Sequence, residues 1–171
     1  MRTGIFGVGL DTYWEQFPGL LERLNGYRQE IVKRMSAFGV EVTDAGMVDT
    51  PEKAFEAAAL LKRDKVEIVF LYISTYALSS TVLPIAREVG APLVILNVQP
   101  TAAIDYRALN ALKDRGAMTG EWLAHCQACS LPEFASVFNR AGIRYEIVSG
   151  YLQEEYVWRE IGEWLKAAHV K

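Results

Sequence analysis

A short stretch past the middle of the chain carries Glu121, His125, Cys126 and Cys129, residue types that bind metals or move protons and electrons. Glu121 and His125 are four apart, so on a helix they share one face. A structural zinc closes a tetrahedron of Cys and His ligands, usually drawn from two such clusters. The chain has only two histidines, the other being His169 in the terminal turn, and only two cysteines. Half of the usual ligand set is missing, and no metal is expected on this chain. A thioredoxin-like redox pair normally follows the first strand, with one Cys at a helix N-terminus. Cys126 and Cys129 therefore read as two small buried thiols, with no disulfide framework, and fit a reducing compartment. No Ser-His-Asp or Cys-His nucleophile set is recognisable.

The second place for chemistry lies near the N-terminus. Gly7-x-Gly9 begins a dinucleotide fingerprint, but the third glycine would fall at Thr12. A phosphate cradle needs small residues so that backbone N–H groups can close on the anion. Tyr13, Trp14 and Phe17 stand there instead. A Mg²⁺-dependent receiver domain would need clustered carboxylates, and Asp11 has no acidic neighbour. Rings beside neutral polar groups suit a sugar, which offers C–H faces and many hydroxyls. Tyr13, Trp14 and Tyr76 can pack on those faces; Asp11, Thr12, Ser74 and Thr75 can bond the hydroxyls. Equally, Trp14 and Phe17 can lid the sheet or fill a subunit interface, where aromatic residues are enriched.

These loops need a scaffold, and the apolar pattern supplies one. Strands are expected at Ile5–Leu10, Val40–Val48, Val66–Ile73, Pro92–Asn97 and Arg144–Val148. Between them lie helical periodicities, the first with Leu20, Leu21, Leu24, Tyr27, Ile31, Val32 and Met35 on one face. Thr50-Pro51 starts the next helix, with Thr50 as cap and Pro51 at the first helical position. Thr81–Val89 is a helix closed by Gly90. Short helices fit Tyr106–Lys113 and Glu121–Cys126. Ser130-Leu131-Pro132-Glu133 has the form of a capping box opening a helix to Ala141. Glu154–Ala168 is the last. Alternating strands and helices, with near-continuous apolar strands, predict a doubly wound five-stranded parallel α/β sheet, a flavodoxin-like (Rossmann-like) three-layer sandwich of order 2-1-3-4-5. Ligands of such folds sit beyond the carboxyl ends of the strands, where the winding reverses. That selects Asp11–Phe17 and Ser74–Ser80.

Composition narrows the class further. With 51% hydrophobic and 23% charged residues, the chain is neither disordered nor fibrous. Its net charge of −3 comes with scattered Lys and Arg, so no stripe invites nucleic acid. No apolar run approaches the roughly 20 residues needed to span a bilayer, and the N-terminus lacks signal-peptide form. A single cytoplasmic domain over residues 1–171 is expected.

Several stretches together resemble the N-terminal domain of the L-arabinose isomerase family. They are Gly9-Leu10-Asp11-Thr12-Tyr13-Trp14-Glu15-Gln16-Phe17-Pro18-Gly19-Leu20, Val48-Asp49-Thr50-Pro51-Glu52-Lys53-Ala54, the run from Phe70 through Tyr76 to Pro84, and Leu96-Asn97-Val98-Gln99-Pro100. Pro132-Glu133-Phe134 and Gly150-x₁₁-Gly162-Glu163-Trp164-Leu165 fit as well. The L-fucose isomerases share this architecture.

The resemblance implies an aldose–ketose isomerase, converting L-arabinose to L-ribulose or a related pair. Its Mn²⁺-type metal is held by two Glu and two His of central and C-terminal domains that these residues do not include. The metal polarises the sugar's oxygens while a carboxylate moves the proton. Family members are homo-oligomers, typically hexamers, in which the N-terminal domain lines a neighbour's sugar site. The sugar-facing positions correspond to Asp11, Tyr13, Trp14, Thr75, Tyr76, His125 and Gln127, although better-known members carry the Gln and His in a different order. This chain is then expected to bind a neutral pentose or deoxyhexose, hold no Mn²⁺, and be inactive alone. A free-standing sugar-binding or scaffolding domain is the alternative, and a flavodoxin-like nucleotide-binding protein the weaker one.

Overall fold

The structure is a computed structural model that describes residues 2–169; Met1 and residues 170–171, the ends of the expected domain, lie outside the described residues. In chain order the elements are β1 (Arg2–Val8), α1 (Thr12–Gln16), α2 (Leu20–Ser36), β2 (Glu41–Val48), α3 (Pro51–Arg63), β3 (Ile68–Ile73) and α4 (Ser79–Val89). There follow β4 (Leu93–Gln99), α5 (Tyr106–Ala111), α6 (Arg115–Leu123), a 3-10 turn (Gln127–Cys129), α7 (Leu131–Ala141), β5 (Tyr145–Tyr151) and α8 (Glu155–His169). The strands form one sheet of order β2-β1-β3-β4-β5, every pair parallel, as the strand and helix alternation predicts.

The central strand, β3, is buried on both faces, which is why Ile68-Val69-Phe70-Leu71-Tyr72-Ile73 is apolar without a break. Successive side chains point to opposite layers. Val69, Leu71 and Ile73 join Ala57, Leu61, Val82, Ile85, Phe134 and Phe138 beneath α3, α4 and α7. Ile68, Phe70 and Tyr72 join Ile31, Met35, Val157, Ile161 and Leu165 beneath α2 and α8. Each such large side chain contributes about 1.5–3 kcal/mol by leaving water. A third, smaller cluster of Leu20, Leu24, Leu123 and Ala124 seals the carboxyl end of the sheet. Among the described residues, no helix is long and apolar enough to cross a membrane.

Several boundaries differ from the sequence reading. β1 begins at Arg2 rather than Ile5, because it pairs with β2 from Arg2 and with β3 from Thr3. β4 and β5 run on to Gln99 and Tyr151, which still face each other in the ladder although their residues turn polar. α6 starts at Arg115, not Glu121, because Asp114 caps it, accepting from the Ala117 amide at 2.6 Å. The expected loop after β1 holds α1. Asp11 accepts from the Thr12 amide at 2.7 Å, and the Phe17 amide closes on Tyr13 O at 2.8 Å. Thr50, by contrast, caps α3 as expected, with Pro51 in its first turn, and Gly90 and Gly142 end α4 and α7 in left-handed backbone.

Two charged residues, Arg28 and Asp49, are buried in this frame. Arg28 of α2 is buried, and its guanidinium pairs with Asp44 and donates to Asn25 Oδ1 at 3.0 Å. Asp44 also accepts from the Gly46 amide at 2.9 Å, where β2 slips register against β1. The pair thus pins an edge strand at its irregularity. Gly7 makes room for it, since a Cβ there would lie 3.1 Å from Arg28 Cδ. Removing one partner strands a buried charge. Asp44→Ala is expected to cost about 2–3 kcal/mol in urea unfolding, less than a fully enclosed pair because Asp44 keeps some solvent. Glu88→Ala, which breaks the exposed pair with Lys62, should change stability by less than about 0.5 kcal/mol. Equal effects of the two would contradict this.

Candidate functional site

The loops at the carboxyl ends of β1 and β3 hold most of the residues that the sequence singles out. Trp14 crosses back over Gly9, where a Cβ would meet its ring at 2.7 Å. Its indole N–H donates to Asp49 Oδ2 at 2.8 Å, and Asp49 is buried, its carboxylate also 2.7 Å from Lys53 Nζ. The indole therefore fastens α1 to the end of β2. Gly7 and Gly9 are both covered by this chain's own side chains, Arg28 and Trp14. Neither offers bare backbone to a phosphate.

Tyr13, one residue earlier, turns the other way. It lies edge-on to Phe17 at 5.8 Å. Burial raises its phenol above the ordinary value, and the neighbouring Tyr76 phenol adds to the rise. Trp14 is committed to Asp49 and borders a separate hollow with Leu21, Glu22 and Asn25. Adjacent side chains of the α1 helix leave it in different directions.

Beneath this rim most of the polar groups bond internally, while Gln127 Oε1 and the Tyr72 hydroxyl are buried without a partner. Ser74 Oγ donates to Val8 O, and Thr75 Oγ1 donates to Leu123 O at 2.8 Å; neither residue is exposed. Gln127 is equally buried, its Nε2 donating to Ser74 O and Ala124 O, both at 2.9 Å. Burial pushes the phenol of Tyr72, on the strand below, well above its usual range.

Ser130 and Glu133 do not form the expected capping box on α7. Ser130 Oγ accepts from the Ala77 amide at 2.7 Å, and Glu133 Oε1 accepts from the Ser79 amide at 2.7 Å. Both reach across to the chain leaving β3. Glu133 thereby supplies the cap that Leu78 cannot give α4. Its other oxygen lies 3.5 Å from the Tyr76 hydroxyl.

Cys126 and Cys129 are joined in a disulfide. This overturns their reading as free buried thiols: the 3-10 turn between them brings the sulfurs together, and only Cys126 is buried, Cys129 being exposed. Just before the turn, His125 Nδ1 lies 3.0 Å from Glu121 O, so that nitrogen donates to the carbonyl. The expected meeting of Glu121 and His125 holds, with 3.8 Å between Nδ1 and Oε1.

Arg23 completes this group and has no counterpart in the sequence reading. It grips Glu121 with two hydrogen bonds, 2.5 and 3.1 Å, and donates from Nε to the Tyr27 hydroxyl at 2.7 Å. The bond from Arg23 holds Glu121 below its ordinary value, against a smaller opposing effect of burial. The one available hint was Arg23 and Tyr27 four apart on one helix. Two clefts flank the ion pair. One, of about 530 Å³, is lined by Gln16, Phe17, Asp114 and Gly120. The other, of about 380 Å³, is lined by Thr101, Asp105, Leu109 and His125. Of the seven positions expected to face a sugar, Tyr13 and Tyr76 are half-buried on the segments after β1 and β3, Asp11 is exposed and His125 borders the second cleft. Trp14 is half-buried and bonded to Asp49, and Thr75 and Gln127 lie below the surface. Among the described residues, no three of His, Cys, Asp and Glu are grouped to hold a metal ion.

No family model matches the chain. Over 155 residues, 88% of its length, the chain is 24% identical to the L-arabinose isomerase of Vibrio parahaemolyticus serotype O3:K6 (strain RIMD 2210633). It spans 30% of that relative's length.

Two outcomes follow from the site's electrostatics. Because Glu121 is depressed in the folded chain, its pairing contributes stability above an unfolded glutamate's value of 4.5, and that contribution is lost as the pH falls through the lower folded value. Glu121→Gln should therefore be less stable than wild type near neutrality, the gap closing in acid; a gap independent of pH would contradict it. Glu133→Ala should lower unfolding free energy by about 1 kcal/mol, as for a lost helix cap, whereas an unchanged urea midpoint would mean the Ser79 bond contributes nothing.

Proposed function

We propose that this chain is the sugar-facing N-terminal part of an aldose–ketose isomerase of the L-arabinose isomerase type. It supplies binding groups and subunit contacts, and the isomerisation belongs to the remainder of a longer protein. The observation that carries this reading is the alignment with L-arabinose isomerase across 88% of the chain. The rim's chemistry supports it independently. Aromatic rings over a floor of buried, uncharged polar side chains suit a pentose or deoxyhexose better than an anion.

In this reading Tyr13 and Tyr76 pack on the sugar's C–H faces. Asp11 and His125 Nε2 take hydrogen bonds from its hydroxyls. Trp14 holds α1 in place through Asp49, while Thr75 and Gln127 act from below by fixing the backbone that carries Tyr76. Mn²⁺ in such an enzyme polarises the substrate's carbonyl and hydroxyl oxygens. The donor groups do not fit it, since among the described residues no three gather, so no step through the metal is assigned to these residues. Exposed Tyr106, Leu112 and Trp122, on or beside the helices that line the clefts, favour a homo-oligomer, a hexamer in the family's manner, whose neighbour covers them.

The test is a protein-observed NMR titration with L-arabinose and L-fucose. Shift changes should cluster at Tyr13, Tyr76 and His125 and vanish in Tyr13→Ala, and the chain alone with Mn²⁺ should produce no ketose. Changes confined to another face, none with either sugar, or turnover by this chain alone would each contradict the proposal.

A further inference from the structure

The disulfide lies where the loop after β3 is held. Cys126 and Cys129 bracket Gln127, whose side chain ties Ser74 O to Ala124 O, and Cys129 adjoins Ser130, which accepts from the Ala77 amide. The backbone bond that would close this turn, from Cys129 N to Cys126 O, is long at 3.4 Å. A 3-10 turn so weakly bonded gains little from its own hydrogen bonds. The covalent link closes the turn that carries Gln127 and leads into Ser130.

The two sulfurs also differ in access. Cys126 is 3% exposed, while Cys129 is exposed and immediately precedes the N-cap of the 11-residue α7. An exposed sulfur paired with a buried one is the arrangement that thiol–disulfide exchange needs, the first to meet an outside thiol and the second to resolve the mixed disulfide.

We infer that Cys126 and Cys129 form a reversible dithiol–disulfide site whose redox state controls how firmly the segment 74–79 is held. The co-reactant is a low-molecular-weight thiol or a reduced dithiol protein. Its thiolate attacks Cys129 Sγ, the Sγ–Sγ bond breaks, and Cys126 leaves with the electron pair and takes a proton from water. A second thiolate then displaces Cys129 from the mixed disulfide, and Cys129 is protonated. The chain gains two electrons and two protons, and two outside thiols become one disulfide. Burial disfavours a lasting thiolate at Cys126. With the link open, Gln127 and Ser130 lose their fixed geometry and the Ala77 and Ser79 amides lose protection. The site needs no sugar and stands whether or not the isomerase reading does.

The experiment equilibrates the folded chain in glutathione buffers of graded ratio, traps thiols with maleimide, and follows amide hydrogen exchange in the fully oxidised and reduced forms. The pair should convert as one unit without unfolding. The amides of Ala77 and Ser79 should exchange roughly tenfold faster when reduced, while the β3 amide of Val69, bonded to Pro92 O at 2.9 Å, stays unchanged. Cys129→Ser should reproduce the reduced exchange pattern in either buffer. A disulfide that yields only on unfolding in urea, a pair that stays dithiol in oxidised glutathione, or equal protection of Ala77 and Ser79 in both forms would overturn the inference.

Discussion

A polypeptide that leaves a fully buried strand carries its amide groups out of the ladder before it reaches water. That debt of hydrogen bonds is the constraint on which the carboxyl end of this sheet depends. β3 is enclosed on both faces, and at Ser74 its partners stop. The groups from Ser74 to Ser79 are then satisfied from residues 123–133. Gln127 takes Ser74 O, Leu123 O receives the Thr75 hydroxyl, Ser130 takes the Ala77 amide and Glu133 the Ser79 amide. One segment, distant in sequence, thus sets where Tyr76 stands and how α4 begins.

The rest of the site is built around that junction. Leu123 and Ala124 pack with Leu20 and Leu24, which holds the start of α2 against the end of α6. The ion pair of Arg23 with Glu121 joins the same two elements at the surface and separates the two clefts. On the opposite side Trp14 anchors α1 to Asp49. The candidate surface is therefore a set of rings and one imidazole carried on short, irregular pieces. Each piece is fixed by side-chain hydrogen bonds, to backbone or to another side chain.

The fold was legible because its signals are collective. Uninterrupted apolar strands, helical stripes and the glycines ending α4 and α7 all point the same way, and no single residue has to be read correctly. The site was legible in part. Tyr13 and Tyr76 lie on the two segments that the topology selects, whereas His125 came from the resemblance alone. The bond from Trp14 to Asp49 was not legible because one position along a helix turns a side chain by about a quarter of a circle or more, and α1 was read as loop. Ser130-x-x-Glu133 shows why a local motif misleads: the same atoms that would cap their own helix meet a stronger need in the buried amides opposite. The disulfide escaped because the spacing of Cys126 and Cys129 does not say whether the turn between them will close. Arg28 and Arg23 escaped because a single arginine on an amphipathic helix gives no sign that a carboxylate from elsewhere will meet it.

The account rests most heavily on Gln127 and its neighbours holding the chain beyond β3. Native-state hydrogen exchange of Gln127→Ala in graded urea, below the unfolding transition, tests it directly. The account expects the amides of residues 74–79 to open as a unit at a lower free energy than in wild type, while the β1, β3 and β4 amides keep the global value. Unaltered opening of 74–79, or opening only together with the whole sheet, would contradict it.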